Sequence, residues 1–169
     1  MEKLYNRKTL RLSGYDYSES GAYFLTICTR NHRCILSQIV GTGVLDGPQI
    51  QLTAYGGIAE KYIRQISDFY DYLSVADYVI MPNHIHILLC VYEQPEGPSG
   101  RPVPTAQNSV VSRFVSTFKR FCNKEYGKNI WQSRSYDHVI RDQADFDQHL
   151  KYIYENPFGW QKDELYTPL

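Results

Sequence analysis

The chain has 169 residues, of which 43% are hydrophobic and 21% are charged, which is typical of one globular domain and not of a disordered chain. Its formal net charge is zero, which argues against indiscriminate binding to nucleic acid. No apolar run approaches the roughly 20 residues of a membrane span, and no segment resembles a secretory signal, so we expect a cytoplasmic protein. The cysteines form no Cys-x-x-Cys pair, which predicts reduced, buried thiols.

The first half of the chain combines predicted strands with one predicted helix. Residues 22–29 are rich in β-branched and aromatic side chains, which predicts a strand. Glycines within residues 37–51 indicate a loop or a short hairpin. Residues 52–70 are predicted to form a helix, because apolar side chains recur there at helical spacing: Ile58, Tyr62, Ile66 and Phe69.

A pair of histidines lies in the next predicted hairpin. Residues 75–81 and 84–92 are apolar runs separated by a Pro-Asn dipeptide, which predicts two antiparallel strands. Because successive side chains of a strand point to opposite faces, His84 and His86 share one face. Neutral imidazole is the commonest protein ligand for divalent metals, so the pair is a candidate metal site. The alternative is two polar residues on a half-exposed strand.

The second half begins with a Pro- and Gly-rich stretch at residues 93–105, which we expect to be a mobile loop within a single domain of residues 1–169. Residues 108–124 predict an amphipathic helix. Residues 136–141 suggest a short strand. The apolar stripe of the helix consists of Val111, Phe114, Phe118 and Phe121.

The last predicted helix covers residues 143–156, with Asp142 as its N-cap and Pro157 beyond its end. Its core-facing side chains are expected to be Phe146, Leu150 and Ile153. Strands and helices therefore interleave, and at least one strand pair is a hairpin. This pattern predicts an α+β fold, a ferredoxin-like sandwich with an antiparallel sheet and helices mainly on one face.

Tyr152 and Asn156 lie one turn apart on that last helix and share a face. The spacing lets an amide oxygen reach a metal while a phenol hydroxyl lies beside it. It is also compatible with a structural interpretation, in which Tyr152 packs at the edge of the core and Asn156 ends the helix. The residues alone leave both interpretations open.

Segments from both halves of the chain resemble one family. Residues 81–88 (MPNHIHIL) are similar to the His-hydrophobic-His (HUH) motif of the single-tyrosine transposases. Trp131-Gln132 and residues 137–141 (DHVIR) and 152–157 (YIYENP) resemble the downstream signature of the REP-associated tyrosine transposases, a branch of that family. The resemblance runs from about Tyr15 to Pro157.

The resemblance implies an enzyme that cuts and rejoins single-stranded DNA through a 5′-phosphotyrosine. Carried over by position, Tyr152 is the nucleophile, with Tyr154 and Tyr136 as alternatives. The implied ligands of Mg²⁺ or Mn²⁺ are His84, His86 and Asn156, although the wider family often has glutamine at the last position. His149 is a possible general base, but the sequence does not identify one.

The resemblance also implies a partner, because the family recognises DNA hairpins beside the cleavage site. Basic side chains that could contact phosphates are Arg7, Lys8, Arg11, Lys119, Arg120 and Arg134. The active form could be a monomer or a homodimer. Two alternatives stay open: a non-catalytic protein that keeps the fold and binds DNA hairpins, and an unrelated metal enzyme that acts on small molecules.

Overall fold

The structure is a computed structural model that describes residues 20–41, 47–93 and 109–168. Its strands are β1 (Gly21–Cys28), β2 (Ser37–Val40), β3 (Gln49–Leu52), β4 (Leu73–Ile80), β5 (His84–Val91) and β6 (Tyr136–Val139). Within the described residues, four of them form an antiparallel sheet in the order β4-β5-β1-β6. The remaining two pair as an antiparallel hairpin, β2-β3.

Strand β5 lies inside the sheet, hydrogen-bonded to β4 on one edge and to β1 on the other. Both of its faces are covered, which explains why its sequence is apolar almost throughout. Ile85 belongs to the first face, whereas His84 and His86 belong to the second. The register places Thr26 of β1 opposite His86 and Cys28 opposite His84.

The first face of the sheet carries the larger hydrophobic cluster. It is covered by helices α1 (Ala54–Arg64), α2 (Ile66–Phe69) and α3 (Val110–Tyr126). The Thr53 hydroxyl caps α1 by accepting from the Gly56 amide, and Ser109 caps α3 in the same way. The predicted stripe of α3 is confirmed at three positions that are fully or almost fully buried: Val111, Phe114 and Phe118.

The second face is covered by helix α4 (Gln143–Gly159) and by a short 3-10 helix, Trp160–Lys162. The Asp142 side chain accepts a hydrogen bond from the Asp145 amide, so the predicted N-cap is confirmed. A smaller cluster joins Ile153 and Trp160 to Phe24 of β1 and Leu88 of β5. The predicted α+β class, with helices mainly on one face, is therefore confirmed.

Helix α4 differs from its prediction in two respects. It does not end near Asn156 but continues through Pro157 to Gly159. A proline only disfavours helical backbone at the residue before it, and the buried Trp160 packs the end of the helix against the sheet. Leu150, predicted to face the core, is 37% exposed. The covered stripe is instead offset from the apolar one, because it includes two polar side chains, His149 and Asn156, beside Ile153.

The helix predicted over residues 52–70 is two helices. Gln65 lies between them with φ −85° and ψ 6°, which breaks the helical repeat. The change of phase explains why Phe69 is 53% exposed, although periodicity placed it on the apolar face.

Some expectations fall partly or wholly outside the described residues. The hairpin within residues 37–51 is confirmed by β2 and β3, but residues 42–46 are not described. The Pro- and Gly-rich loop lies outside from residue 94 onward. All four cysteines are free thiols, as predicted, although only Cys122 is buried. Among the described helices, none combines the length and apolar character that a membrane span requires.

Candidate active site

His84 and His86 lie side by side on the second face of the sheet, as their spacing predicts. His84 is fully buried and His86 is 3% exposed, and their ring centroids are 4.5 Å apart. Burial lowers the pKa of His84 to about 4, and burial together with the nearby His84 and His149 holds the pKa of His86 well below its usual value. Both rings are therefore neutral near pH 7, which is the form that binds a metal.

The Asn83 side chain fixes the tautomer of His84. Its amide nitrogen donates to the Leu165 carbonyl at 2.7 Å and to the Thr167 hydroxyl at 2.9 Å. The amide oxygen therefore faces His84, 2.8 Å from Nδ1, and an amide oxygen can only accept. His84 must then carry its proton on Nδ1, which leaves the lone pair on Nε2.

His86 has an equivalent partner on the neighbouring strand. Its Nδ1 lies 2.9 Å from the Thr26 hydroxyl, which the β1–β5 register places directly opposite. When Nδ1 donates to this hydroxyl, the Nε2 lone pair faces away from β1. Partners of this kind orient metal-binding histidines in known metal sites.

Asn156 projects from α4 toward the same region and is 5% exposed. Its amide nitrogen donates to the Asp163 carboxylate at 3.1 Å, so the amide oxygen points elsewhere. Asp163 itself follows the 3-10 helix and lies close to the histidines. A nitrogen of His84, a nitrogen of His86 and a carboxylate oxygen of Asp163 all lie within 4.8 Å of one another.

These residues fit a divalent cation. In the described part of the chain, three buried acceptor atoms on these residues have no hydrogen-bond partner: His84 Nε2, His86 Nε2 and Asn156 Oδ1. Buried polar atoms are nearly always paired, so acceptors that lack a donor fit a site at which a cation binds. Nitrogen and oxygen ligands suit Mg²⁺, Mn²⁺ and related cations.

Tyr152 lies next to the histidine pair in the same chain. Its ring centroid is 5.2 Å from that of His86 and 5.9 Å from that of Phe24, while the side chain stays 44% exposed. Burial and then the Asp163 charge raise the pKa of the Tyr152 phenol, although a hydrogen bond from Asn156 opposes the shift. The hydroxyl is therefore protonated at neutral pH and can be reached from solvent.

The alternative tyrosines occupy different surroundings. Tyr154 is 73% exposed and its ring lies near Phe158, 6.2 Å between centroids. Tyr136 lines the same cavity as Tyr152 but lies on β6. Of the three tyrosines, Tyr152 is the one whose ring packs against His86.

His149 lines that cavity one turn before Tyr152. Its Nδ1 donates to the Asp145 backbone carbonyl at 2.8 Å and lies 3.0 Å from the Asp145 carboxylate, which leaves the lone pair of the neutral ring on Nε2. The same carboxylate accepts from His138 at 2.9 Å. The assignment of His149 as general base stays a prediction, since the Phe24 ring packs against both His149 and Tyr152.

A cavity of about 810 Å³ opens beside Tyr152. Its wall includes Thr26 and His86 from the sheet and Arg134 and Tyr136 from the segment before and within β6. The charged side chains around it have both signs: Arg134, Lys151, Glu155, Asp163 and Glu164. A segment of nucleic acid or a small molecule could enter a cavity of this size.

The six basic residues named from the sequence have different environments. Arg134 is exposed and lines the cavity, and Arg120 is exposed on α3 with its guanidinium over the Phe121 ring. The Lys119 ammonium instead donates to the carbonyls of Gln132 at 2.8 Å and Arg134 at 3.2 Å. The other three lie outside the described residues: Arg7, Lys8 and Arg11.

Sequence reasoning missed three residues of the site. Asn83 stands directly before His84 in the motif, and Thr26 faces His86 across the strand pair, so a correct strand register could have found both. Asp163 follows the predicted end of the last helix by several residues, in a segment without periodicity. No signal in the sequence relates it to the histidines.

The chain is similar to several known proteins in sequence or in fold. No family model matches the sequence. An uncharacterized protein of Haemophilus influenzae is 31% identical over 177 residues, covering 97% of this chain and 95% of that protein. The REP-associated tyrosine transposase of Escherichia coli is 31% identical over 148 residues, covering 86% of this chain and 73% of that protein. A solved structure of a REP-associated tyrosine transposase bound to a REP hairpin has a TM-score of 0.60 and 23% identity, covering 88% of this chain and 72% of that one.

Fold and site together define a class of α+β proteins, in which an antiparallel sheet and a tyrosine-bearing helix bring together candidate metal ligands and a phenol. Within that class, the identity to the Escherichia coli protein is decisive. The chain belongs to the REP-associated tyrosine transposase family.

Proposed function

We propose that this protein is a metal-dependent, single-stranded DNA transposase that cleaves and rejoins DNA through a 5′-phosphotyrosine at Tyr152. The observation that carries the proposal is the packing of the Tyr152 ring against His86, 5.2 Å between centroids, beside three orphaned buried acceptors. Membership of the transposase family supports the same reaction class. As an enzyme acting on chromosomal DNA, it would work in the cytoplasm.

His84, His86 and Asn156 would hold Mg²⁺ or Mn²⁺ through Nε2, Nε2 and Oδ1. The cation, when bound, stabilises the negative charge that develops on the scissile phosphate. Asn83 and Thr26 keep the imidazole lone pairs in position, so the ligands need not reorganise during the reaction.

Tyr152 supplies the nucleophile. Its phenol oxygen attacks the phosphorus, and the bond from phosphorus to the 3′ oxygen breaks. The phenol loses its proton and the departing 3′ oxygen gains one, so the DNA leaves with a 3′ hydroxyl. Because the phosphotyrosine conserves the energy of the phosphodiester, a 3′ hydroxyl can attack it in the reverse sense and rejoin DNA.

The cavity beside Tyr152 favours single-stranded DNA, because a base-paired strand would hold its phosphates away from buried histidines. By analogy with the relative bound to a REP hairpin, we propose that a DNA hairpin flanks the cleavage site. The exposed Arg134 and Arg120 are the described candidates for phosphate contacts. Since Tyr152 and His86 come from one chain, the site does not require residues of a second copy, in a monomer or in a homodimer.

A non-catalytic hairpin-binding protein is the alternative. A labelled substrate separates the two functions, because a 5′-phosphotyrosine retains only the strand on the 3′ side of the cut. We expect single-stranded hairpin DNA labelled at its 3′ end to give a denaturation-resistant protein adduct with Mn²⁺. The same DNA labelled at its 5′ end should release a labelled fragment and give no adduct.

Tyr152→Phe should abolish the adduct while it preserves the ring contacts with His86 and Phe24. Tyr154→Phe is the matched control, because this exposed side chain is two residues away from Tyr152. We expect the Tyr154→Phe protein to form the adduct as the wild type does. Both tyrosines lie in one tryptic peptide, residues 152–162, so fragmentation of the peptide must assign the nucleotide. An adduct that persists in Tyr152→Phe, or hairpin binding without any adduct, would contradict the proposal.

A further inference from the structure

The ligand set named so far has no charge. Two neutral imidazoles and one amide oxygen offer three lone pairs, but Mg²⁺ in proteins is usually held by one or two carboxylates. A carboxylate does lie at this place. One oxygen of Asp163 is within 4.8 Å of the ligand nitrogens of both His84 and His86.

Two ligand atoms that each lie roughly 2.1 Å from Mg²⁺ are at most about 4.2 Å apart. The ligand atoms of His84, His86 and Asp163 lie within 4.8 Å of one another, so they need to move only slightly to bind one cation together. The Asp163 side chain is also held in place. One carboxylate oxygen accepts from the Leu165 amide at 2.7 Å, and the other accepts from the Asn156 amide nitrogen at 3.1 Å. Each oxygen has a second lone pair to offer.

Hydrogen bonds hold the backbone segment that carries Asp163, and one of them comes from the residue next to His84. The Asp163 amide donates to the Trp160 carbonyl at 3.1 Å, and its carbonyl accepts from the Tyr166 amide at 3.0 Å. The Leu165 carbonyl in turn accepts from Asn83, the residue that orients His84. Asn83 therefore orients the His84 ring and also holds the segment that carries the Asp163 carboxylate.

We infer that Asp163 is a ligand of the cation, completing a set of two imidazoles, an amide oxygen and a carboxylate. The inference rests on the proposed metal-dependent function. It gives the site one negative charge, which raises the affinity for hard cations such as Mg²⁺ and Mn²⁺ by a larger factor than that for the imidazole-preferring Ni²⁺ and Zn²⁺. A role for Asp163 limited to orienting Asn156 would not set this preference.

Asp163→Asn distinguishes these roles, because its one amide oxygen can still accept from Asn156, with the Leu165 contact given up, but the side chain carries no charge. The measurement is the dissociation constant for Mn²⁺ and, separately, for Ni²⁺, by titration calorimetry of the full chain without DNA. We expect Asp163→Asn to weaken Mn²⁺ binding at least 10-fold, and Ni²⁺ binding clearly less. Asp163→Glu should recover part of the Mn²⁺ affinity, because it restores the charge.

Glu164→Gln is the matched control, since it removes the same charge one residue away and should change Mn²⁺ affinity less than twofold. A Mn²⁺ dissociation constant of Asp163→Asn within twofold of the wild-type value would overturn the inference and leave the proposed function intact. An equal loss of affinity for Mn²⁺ and Ni²⁺ would do the same. Wild-type protein that binds no Mn²⁺, or binds it unchanged in His86→Ala, would overturn both.

Discussion

At the scale of single residues, Thr26 is the partner that can hold the proton of His86 on Nδ1 and so leave Nε2 to a cation. Its hydroxyl is 2.9 Å from Nδ1, and Thr26→Val keeps the side-chain shape but removes this acceptor. A buried N–H without a partner is costly, so we expect the ring to move its proton to Nε2 in part of the population. Nitrogen-15 NMR of the imidazole should report that change of tautomer, with Mn²⁺ affinity lower by about 10- to 100-fold.

Thr26→Ser is the control for this prediction, because it retains the hydroxyl and should keep the wild-type tautomer. An unchanged nitrogen spectrum in Thr26→Val would mean that another group sets the protonation of His86. The sequence could predict the histidines, since alternation in a strand is a local property. It could not predict Thr26, because a partner on another strand depends on the β1–β5 register.

At the scale of secondary-structure elements, α3 is joined to the segment before β6 through Lys119. Its ammonium donates to the carbonyls of Gln132 and Arg134, whereas the Arg134 side chain is exposed beside the cavity. Each phosphate contact contributes close to one to the slope of log K against log salt concentration. We therefore expect Arg134→Met to lower the magnitude of that slope for hairpin binding by about one, and Lys119→Met to leave it unchanged.

Hydrogen exchange supplies the complementary readout for Lys119→Met. Loss of the ammonium should speed exchange of the amides in residues 132–135, which Arg134→Met should not do. A reduced salt slope in Lys119→Met would show that the ammonium contacts phosphate, as the sequence analysis suggested. Charge in the sequence identified both residues as candidates. Only the tertiary structure shows that the Lys119 ammonium is already hydrogen-bonded to backbone carbonyls.

The elements also show where sequence patterns fail. The stripe of α3 was predictable because it faces a purely apolar cluster. The covered stripe of α4 contains His149 and Asn156, so the periodicity of its apolar residues correctly placed Phe146 and Ile153 against the sheet but wrongly placed Leu150 inside. Pro157 likewise suggested an early end to this helix, because the packing of Trp160 beyond it is a tertiary effect.

At the scale of the whole molecule, the two faces of the sheet are covered unequally. The first face carries the larger cluster, whereas α4 contributes two buried residues to the second face, Ile153 and Asn156. A cation held by His84 and His86 on β5 and by Asn156 on α4 would join this helix to the sheet. We therefore expect Mn²⁺ to stabilise the fold, and to do so chiefly by fixing α4.

A ligand at 100 times its dissociation constant stabilises the folded state by about 2.7 kcal/mol. For a chain of this size, that corresponds to a rise in Tm of roughly 5 to 11 °C. Differential scanning calorimetry should show a Tm that increases with Mn²⁺ concentration and returns to its starting value with a chelator. His86→Ala should show no increase. Hydrogen exchange of the amides along α4 should slow with Mn²⁺ in the wild type but not in His86→Ala. A rise in Tm without slower exchange in α4 would mean that the cation binds elsewhere.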